Sequence, residues 1–460
     1  MVISIIGAGY VGLTTSAVLA ATGHKVYCID VDSKKIETIK SGKSFFFEPG
    51  LDYFVKKGID SGNLIPTLSY EESIPESEMI MICVGTPTNK DLEVDISYVI
   101  QATELVGKYM KDETIIIQKS TVPVGTGRKM EKILKTFKKE FYLVSCPEFL
   151  SEGTAVLDTL EVNRYVIGGD NIGAKNKVAK LFKTVDDYAK TIDFNQFSEY
   201  ANLYRNEDYQ SRKTPFAKKV LSISLESAEL IKVTANAFLA TKISFANSIA
   251  RLCDVTGANI DEVMDGIGRD DRIGRSFLYA GLGWGGGCFP KDTAGLVSFS
   301  KKNDFDFPLL AGAIKTNFEQ IDYVLEIIKD NLKGNFSQKV VAVLGLSFKP
   351  GTSDIRMSPA LSLIKKMSNL KIKIKTFDPK AMDEVKEELN LKDVYYGKDV
   401  YDALEGADII VLVTQWPEFK SIDFSKIRQV KKTQVLIDGR NLFNRKKIES
   451  LGFKYIGIGC

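Results

Sequence analysis

Val2-Ile3-Ser4-Ile5-Ile6-Gly7-Ala8-Gly9-Tyr10-Val11-Gly12 decides the fold of this chain. Five mostly apolar residues of strand character run into three spaced glycines, and residues 13–21 then carry a helical pattern. A second strand, 26–29, ends at Asp30, 18 residues after Gly12. A GxGxxG motif alone is weak. Here a strand precedes it, a helix follows it, and an acid closes the next strand. That combination is a dinucleotide fingerprint: glycines admit a pyrophosphate to the helix N-terminus, and the carboxylate takes ribose hydroxyls. A carboxylate there also repels a 2′-phosphate, so the expected cofactor is NAD rather than NADP.

Further strands follow at parallel-sheet intervals. Residues 79–84 lead to Gly85-Thr86-Pro87-Thr88, 114–118 to Lys119-Ser120-Thr121, and 141–145 to Cys146-Pro147-Glu148-Phe149-Leu150-Ser151-Glu152. In a doubly wound sheet these strand ends line the ligand crevice, so Thr86, Thr121, Glu148 and Glu152 should face the cofactor. From residue 340 a second round begins. Residues 345–351 stand where the glycine loop stood, 372–377 end at Asp378, and 407–414 and 434–438 mirror the earlier strands. The second loop lacks GxGxxG and supplies Lys349, Arg356 and, on a later strand end, Arg440. Basic groups at a sheet's ligand edge suit phosphate.

The expected architecture is therefore α/β, with two Rossmann-like doubly wound parallel-sheet domains joined by a long central helix. Residues 1–195 form the NAD-binding domain and 196–224 a linker or surface insertion, since 193–219 is polar, tyrosine-rich and without a clear period. Residues 225–332 form a helical domain carrying a cysteine loop, and 333–460 the second Rossmann-like domain. In the helical run 225–255, Lys232 and Asn236 lie four apart on one face, and Asn247 falls on that face three turns later. Apolar residues (Leu230, Val233, Ala237, Leu239, Ile243, Phe245, Ile249) cover more than half the circumference, as in a helix buried between domains or subunits.

Composition narrows the chemistry. The formal net charge is only +3, and no apolar run reaches membrane-spanning length, so neither a nucleic-acid nor a membrane partner is expected. Six scattered cysteines without metal-ligand spacing fit a reducing cytoplasm and no metal site; Cys28 and Cys83 read as core. The single histidine, His24, reads as a solvated turn residue, so proton transfer falls to Asp, Glu, Lys, Thr or water. One cysteine differs from the rest. Gly283-Trp284-Gly285-Gly286-Gly287-Cys288-Phe289-Pro290-Lys291-Asp292 delivers a thiol just before a helix that opens at Pro290. Its glycines are read as letting backbone come close to a ligand. A thiol there, with Lys291 nearby, lies in a field that favours thiolate, and Cys288 is read as a nucleophile.

With these motifs in hand, the chain resembles the UDP-glucose/GDP-mannose dehydrogenase family nearly end to end. The resemblance also covers Glu48-Pro49-Gly50 and Asp438-Gly439-Arg440. It implies a four-electron oxidation of a nucleotide sugar's C6 alcohol to a carboxylate, UDP-glucose to UDP-glucuronate, through a thiohemiacetal and a thioester on Cys288. Lys232 and Asn236 would then stabilise oxyanions, Asp292 and Thr121 hold a water, and Glu148 serve as base for thioester hydrolysis. The NAD set would be Gly7, Gly9, Tyr10, Val11, Gly12, Asp30, Lys35, Thr86, Thr121, Glu152, Lys291 and Arg356. The sugar nucleotide would meet Glu148, Phe149, Leu150 and Glu152, then Lys232, Asn236, Phe277, Leu278, Tyr279 and Gly283, and finally Phe348, Lys349 and Arg440. Arg272 would reach a neighbouring subunit's site, implying a homodimer or larger homo-oligomer.

Competing readings are a 6-dehydrogenase of GDP-mannose or of a UDP-N-acetylhexosamine, a two-electron hydroxyacid dehydrogenase in which Cys288 is incidental, and a non-catalytic nucleotide sensor. The segment 193–219 is longer than the family pattern.

Overall fold

The computed structural model describes every residue except 90–92, 194–213, 335, 392 and 431–434. It divides into two units, Met1–Ala235 and Asn236–Cys460. Most of the stretch 193–219 lies outside the described residues.

The first unit is built on β1 (Val2–Ile6), β2 (Lys25–Ile29), β3 (Leu64–Thr67), β4 (Met79–Ile82), β5 (Thr114–Gln118), β6 (Phe141–Ser145), β7 (Tyr165–Gly168) and β8 (Val220–Ile223). The strand order is β3-β2-β1-β4-β5-β6-β7-β8. Strands β1 to β6 pair in parallel, and the order reverses between β1 and β4, the switch point at which such sheets bind ligands. Every residue of β4 and β5 is buried, as expected of strands covered by helices on both faces. β7 meets β6 antiparallel at a single register pair, Ser145 with Gly168, and β8 runs parallel to β7.

That last strand corrects the sequence expectation for 196–224. Its final part is a short helix, Phe216–Lys219, and the edge strand β8, so Val220–Ile223 belong to the sheet rather than to a linker. Lys219 is fastened there by Asp186 at 2.5 Å, both side chains almost wholly buried.

The second unit repeats the plan with β9 (Val340–Leu344), β10 (Lys373–Phe377), β11 (Val394–Tyr396), β12 (Ile409–Leu412), β13 (Val435–Asp438) and β14 (Lys454–Gly457). All its pairings are parallel and the order is β11-β10-β9-β12-β13-β14, the arrangement of the first six strands again. One buried cluster joins this sheet to Ala246, Ala250 and Cys253 and to Ile321, Val324 and Ile328. These residues lie on the helices Leu225–Thr256 and Pro308–Leu332. The boundary between units falls inside the first of these helices, so its opening turns belong to one core and the rest to the other.

His24 is a second correction. It is buried, with Nε2 at 2.9 Å from Thr184 Oγ1 and Nδ1 at 3.5 Å from the amino group of Met1. Burial, aided by that ammonium, lowers its pKa, so it acts as a neutral buried hydrogen-bonding residue and not as a solvated one.

Candidate active site

In the first unit the glycine loop behaves as its motif requires. A side chain at Gly12 would overlap the carbonyl of Gly7, which is why the turn can close onto the helix Tyr10–Ala21 only with glycine there. Above Gly9, by contrast, nothing lies within 4 Å of an added Cβ. The helix starts without a side-chain cap and without an acid in its first turn. Its N-terminal N–H groups and positive dipole end thus form a cradle of the kind a pyrophosphate fills. Asp30 Oδ2 accepts from Ala8 N at 2.7 Å, Oδ1 accepts from Asp32 N at 3.0 Å, and Lys35 Nζ stands 3.9 Å away. The residues present fit a dinucleotide.

Two strand-end loops are pinned together at the switch point. Thr86 Oγ1 donates to the carbonyl of Thr121 at 2.8 Å, and Ser120 Oγ donates to Val84 O at 2.7 Å. Glu229, which the sequence reading missed, holds the other end of the Thr121 loop. Its carboxylate accepts from Gly125 N and Gly127 N, each at 2.7 Å, capping the helix Thr126–Lys135 from outside. Burial pushes the Glu229 carboxyl up to about 7, against the pull of those two N–H groups. Three residues on, the same helix presents Lys232, buried, with its ammonium 3.1 Å from Glu148 Oε1. Glu148 Oε2 accepts from Leu150 N at 2.7 Å, so the acid is held at both oxygens. Phe149 carries Arg164 over its ring at 3.9 Å, and Lys232 Nζ lies 5.5 Å from the same centroid. Glu48, from the Glu-Pro-Gly motif, is buried and accepts from Gly153 N (2.6 Å) and Ala155 N (2.7 Å), fixing the turn after Glu152.

In the second unit Cys288 is the N-cap residue of the helix Phe289–Lys302, with Pro290 in the first turn as expected. The thiol residue is exposed, whereas Cys28, Cys83, Cys146 and Cys253 are buried. Burial pushes the Cys28 and Cys83 thiols up to about 12, which leaves them inert. One turn into the helix Asp292 is buried, accepting from Asn236 Nδ2 at 2.6 Å on one oxygen and pairing with Lys291 Nζ at 2.5 Å on the other. A lysine and a carboxamide thus hold this carboxylate in one orientation.

The glycines before Cys288 approach protein, which refines the expectation that they leave room for a ligand. A Cβ on Gly283 would sit 2.6 Å from Asn317 Oδ1, one on Gly285 would overlap Met357 O, one on Gly286 would stand 2.7 Å from the Phe348 ring, and one on Gly287 would stand 2.5 Å from the Arg356 guanidinium. Arg356 is forked onto Asp354. Lys349 Nζ lies 5.6 Å from the Phe348 ring. Arg440 donates from Nε to Val413 O at 2.7 Å beside Gly281. Phe277 holds a positive φ of 65°, costly for an aromatic residue and found where function over-determines the backbone. Leu278 is buried, Tyr279 half exposed with Arg275 stacked on it at 4.6 Å. Arg272 is 89% exposed and forked onto Asp270.

Sequence profiles settle the family. The NAD binding domain of the UDP-glucose/GDP-mannose dehydrogenase family matches residues 1–186, its central domain 226–319 and its UDP binding domain 342–445. The chain belongs to this family. It is an NAD-dependent dehydrogenase with a UDP-binding domain. UDP-glucose 6-dehydrogenase TuaD of Bacillus subtilis is 39% identical over 460 residues, covering 99% of this chain and 93% of that protein. UDP-glucose 6-dehydrogenase of Pseudomonas aeruginosa is 36% identical, covering 100% and 97%. Among solved structures, a UDP-glucose dehydrogenase from Pyrobaculum islandicum superposes with a TM-score of 0.86 at 29% identity, covering 99% and 97%. A UDP-D-ManNAc dehydrogenase from Pyrococcus horikoshii follows at 0.81 and 29%, covering 100% and 99%. Among the described residues no helix is long and apolar enough to cross a membrane, and no cluster of three or more His, Cys, Asp or Glu side chains is arranged to hold a metal.

Proposed function

We propose that this chain oxidises UDP-glucose to UDP-glucuronate, using two NAD⁺ and one water per sugar. The observation that carries the reading is Cys288, an exposed thiol at a helix N-cap, one turn from a buried Asp292 held by Lys291 and Asn236. A two-electron alcohol oxidation has no use for a nucleophile, whereas oxidation onward to an acid does. An aldehyde has no hydride it can readily release until a nucleophile has added to it.

Gly7, Gly9, Tyr10, Val11 and Gly12, with Asp30, would hold the dinucleotide, which supplies the hydride acceptor. Lys35, Thr86, Thr121, Glu152, Lys291 and Arg356 complete the proposed cofactor set. Asp292 positions the water that takes the alcohol proton, a task shared with Thr121. Cys288 Sγ adds to the aldehyde carbon to give a thiohemiacetal, and Lys232 and Asn236 stabilise the oxygen charge that develops. Oxidation at that carbon leaves a thioester. Glu148 takes a proton from the water that cleaves it, releasing the carboxylate and restoring the thiol. Phe149, Leu150, Phe277, Leu278, Tyr279, Gly283, Phe348, Lys349 and Arg440 are the proposed sugar-nucleotide contacts. Its six scattered cysteines suit a reducing cytoplasm.

The test counts NADH formed per sugar consumed with limiting UDP-glucose, GDP-mannose, UDP-N-acetylhexosamines and simple hydroxyacids. Two NADH per UDP-glucose are expected, and a far lower kcat/KM with NADP⁺ because Asp30 would face its 2′-phosphate. One NADH per hydroxyacid would mean a two-electron enzyme. Preference for another sugar would move the substrate within the family.

The same reading includes assembly. Phe238, Phe245 and Leu252 recur every seven residues along the helix Leu225–Thr256 and are 63%, 50% and 56% exposed. An apolar stripe of this kind fits a second copy of the chain, and exposed Arg272 would serve a neighbour's site. Light scattering should show a dimer or larger species that dissociates in Phe245→Glu; a fully active wild-type monomer would refute the assembly.

A further inference from the structure

Four glycines in five residues make 283–287 a costly segment to hold still, since each ordered residue forfeits roughly 1–2 kcal/mol of backbone entropy and glycine forfeits most. Yet a reacting thiol must be placed to within a fraction of an ångström. The residue between the glycines, Trp284, is where this loop is fastened. Asn317 Oδ1 accepts from Trp284 N at 2.7 Å, and Asn317 Nδ2 donates to Trp284 O at 3.0 Å. One buried carboxamide therefore pairs with both backbone groups of a single residue, as a neighbouring strand would. The indole Nε1 donates to Ser244 Oγ at 3.0 Å, and Ser244 passes the bond on to Ala313 O at 2.8 Å. The indole edge meets the ring of Phe289, the residue after Cys288, at a centroid distance of 6.2 Å and an interplanar angle of 80°. Behind Trp284, Gly281 is held in the same manner, its N–H by Asn247 Oδ1 at 2.7 Å and its carbonyl by Gln320 Nε2 at 2.8 Å. On its other side the loop closes on Gly286 N, which donates to Arg356 O at 2.8 Å.

We infer that Asn317 is a positioning residue for Cys288: its carboxamide, gripping both backbone groups of Trp284, sets where the thiol stands at the N-terminus of the helix Phe289–Lys302. Neither Asn317 nor Gln320 carries a group the chemistry needs. They lie three apart on the helix Pro308–Leu332, both buried; Asn317 spends both polar atoms on the loop, whereas Gln320 spends Nε2 there and accepts from Arg251 Nε at 2.8 Å on Oε1. The catalytic part of this inference rests on the reading of Cys288 as nucleophile; the placement of the thiol does not.

Three variants separate the possibilities. Asn317→Ala removes both bonds, and Asn317→Asp keeps the shape and the acceptor but loses the donor. Ser244→Ala removes the indole bond and the bond to Ala313 O but leaves the backbone grip. For each, thermal melting checks that the chain is folded. Iodoacetamide alkylation of Cys288 is followed by peptide mass across pH without substrate. Cys460 does not confuse it, since burial pushes that thiol up to about 11. Both Asn317 variants should show an alkylation midpoint at higher pH, as the thiol leaves the helix dipole. With UDP-glucose and NAD⁺ they should show kcat lower by about 10²-fold, with KM within about threefold, the signature of ångström-scale misplacement. Ser244→Ala should change neither by more than about threefold. If folded Asn317→Asp alkylates at the wild-type midpoint, or turns over at the wild-type kcat, Asn317 does not place the thiol. Should Asn317→Ala fail to fold, Asn317→Asp decides. Should the wild type oxidise no nucleotide sugar, the proposed function fails, and the alkylation midpoint alone judges this inference.

Discussion

Replacing Cys288 with serine is expected to lower steady-state NADH formation from UDP-glucose by about 10³-fold or more, while the protein stays folded and still binds NAD⁺. Cys288 is exposed at its N-cap and fills no core, so the substitution removes one sulfur from a surface position. A hydroxyl is a far weaker nucleophile near neutral pH, and an oxygen ester hydrolyses more slowly than a thioester. The serine enzyme should therefore accumulate a covalent adduct, seen as added mass on the peptide carrying residue 288. Cys288→Ala should form no adduct and retain at most slow first-step chemistry, because Lys232, Asn236 and Asp292 are untouched. The contrast with the other thiols sharpens the test. Cys28 and Cys83, pushed up to about 12 by burial, should survive replacement by alanine with little change in kcat. If Cys288→Ala yields two NADH per sugar at the wild-type rate, the thiol is structural and the four-electron reading collapses.

Much of the fold was legible because its signals are local. The strand β1, the glycines that follow it and Asp30 lie within thirty residues, and their spacing encodes one βαβ turn whatever the rest of the chain does. The second sheet was visible for the same reason, since β9, β10, β12 and β13 repeat the apolar runs of the first. What escaped depends on partners distant in sequence. Val220–Ile223 alternates too briefly to read as a strand, and only its pairing with β7, more than fifty residues earlier, makes it one. His24 looks like a turn residue from its neighbours, and Thr184, 160 residues away, shows it to be buried.

The candidate site divides along the same line. Cys288, Lys232, Asn236 and Asp292 announce themselves by spacing on helices: four apart for the first helix, four apart at the start of the other. Glu229 and Asn317 do not, because a lone acid or amide on an apolar helix has many uses. A faint signal existed, as Glu229 shares a face with Lys232 at three residues' spacing, and Asn317 with Gln320 likewise. The glycines of 283–287 were read as room for a ligand. Their missing side chains instead make way for Asn317, Met357, Phe348 and Arg356, contacts no local pattern could reveal.

The buried pair Lys232–Glu148 supports the second large prediction, because its two members are assigned to different halves of the reaction. On the proposed mechanism, removing Lys232 takes away a cation from the developing oxyanion, and it also leaves Glu148, whose side chain is only 9% exposed, without that cation. Loss of one member of a buried pair costs about 3–5 kcal/mol, and loss of one oxyanion donor costs about 10²–10³ in kcat. Lys232→Ala is therefore expected to melt well below the wild type and to form NADH slowly from the first turnover. Glu148→Gln keeps the acceptor for Leu150 N and the side chain's shape, so its thermal cost should be smaller. Its chemical defect should come later. Oxidation to the thioester can proceed, and only water attack lacks its base. Rapid mixing of Glu148→Gln with UDP-glucose and NAD⁺ should then give a burst of about two NADH per active site, followed by a slow steady state, with the thioester trapped on Cys288. Lys232→Ala should show no burst. A Glu148→Gln enzyme that is slow without a burst would place Glu148 in the oxidative steps. A burst in Lys232→Ala would move the lysine out of them, and the two roles would have to be exchanged.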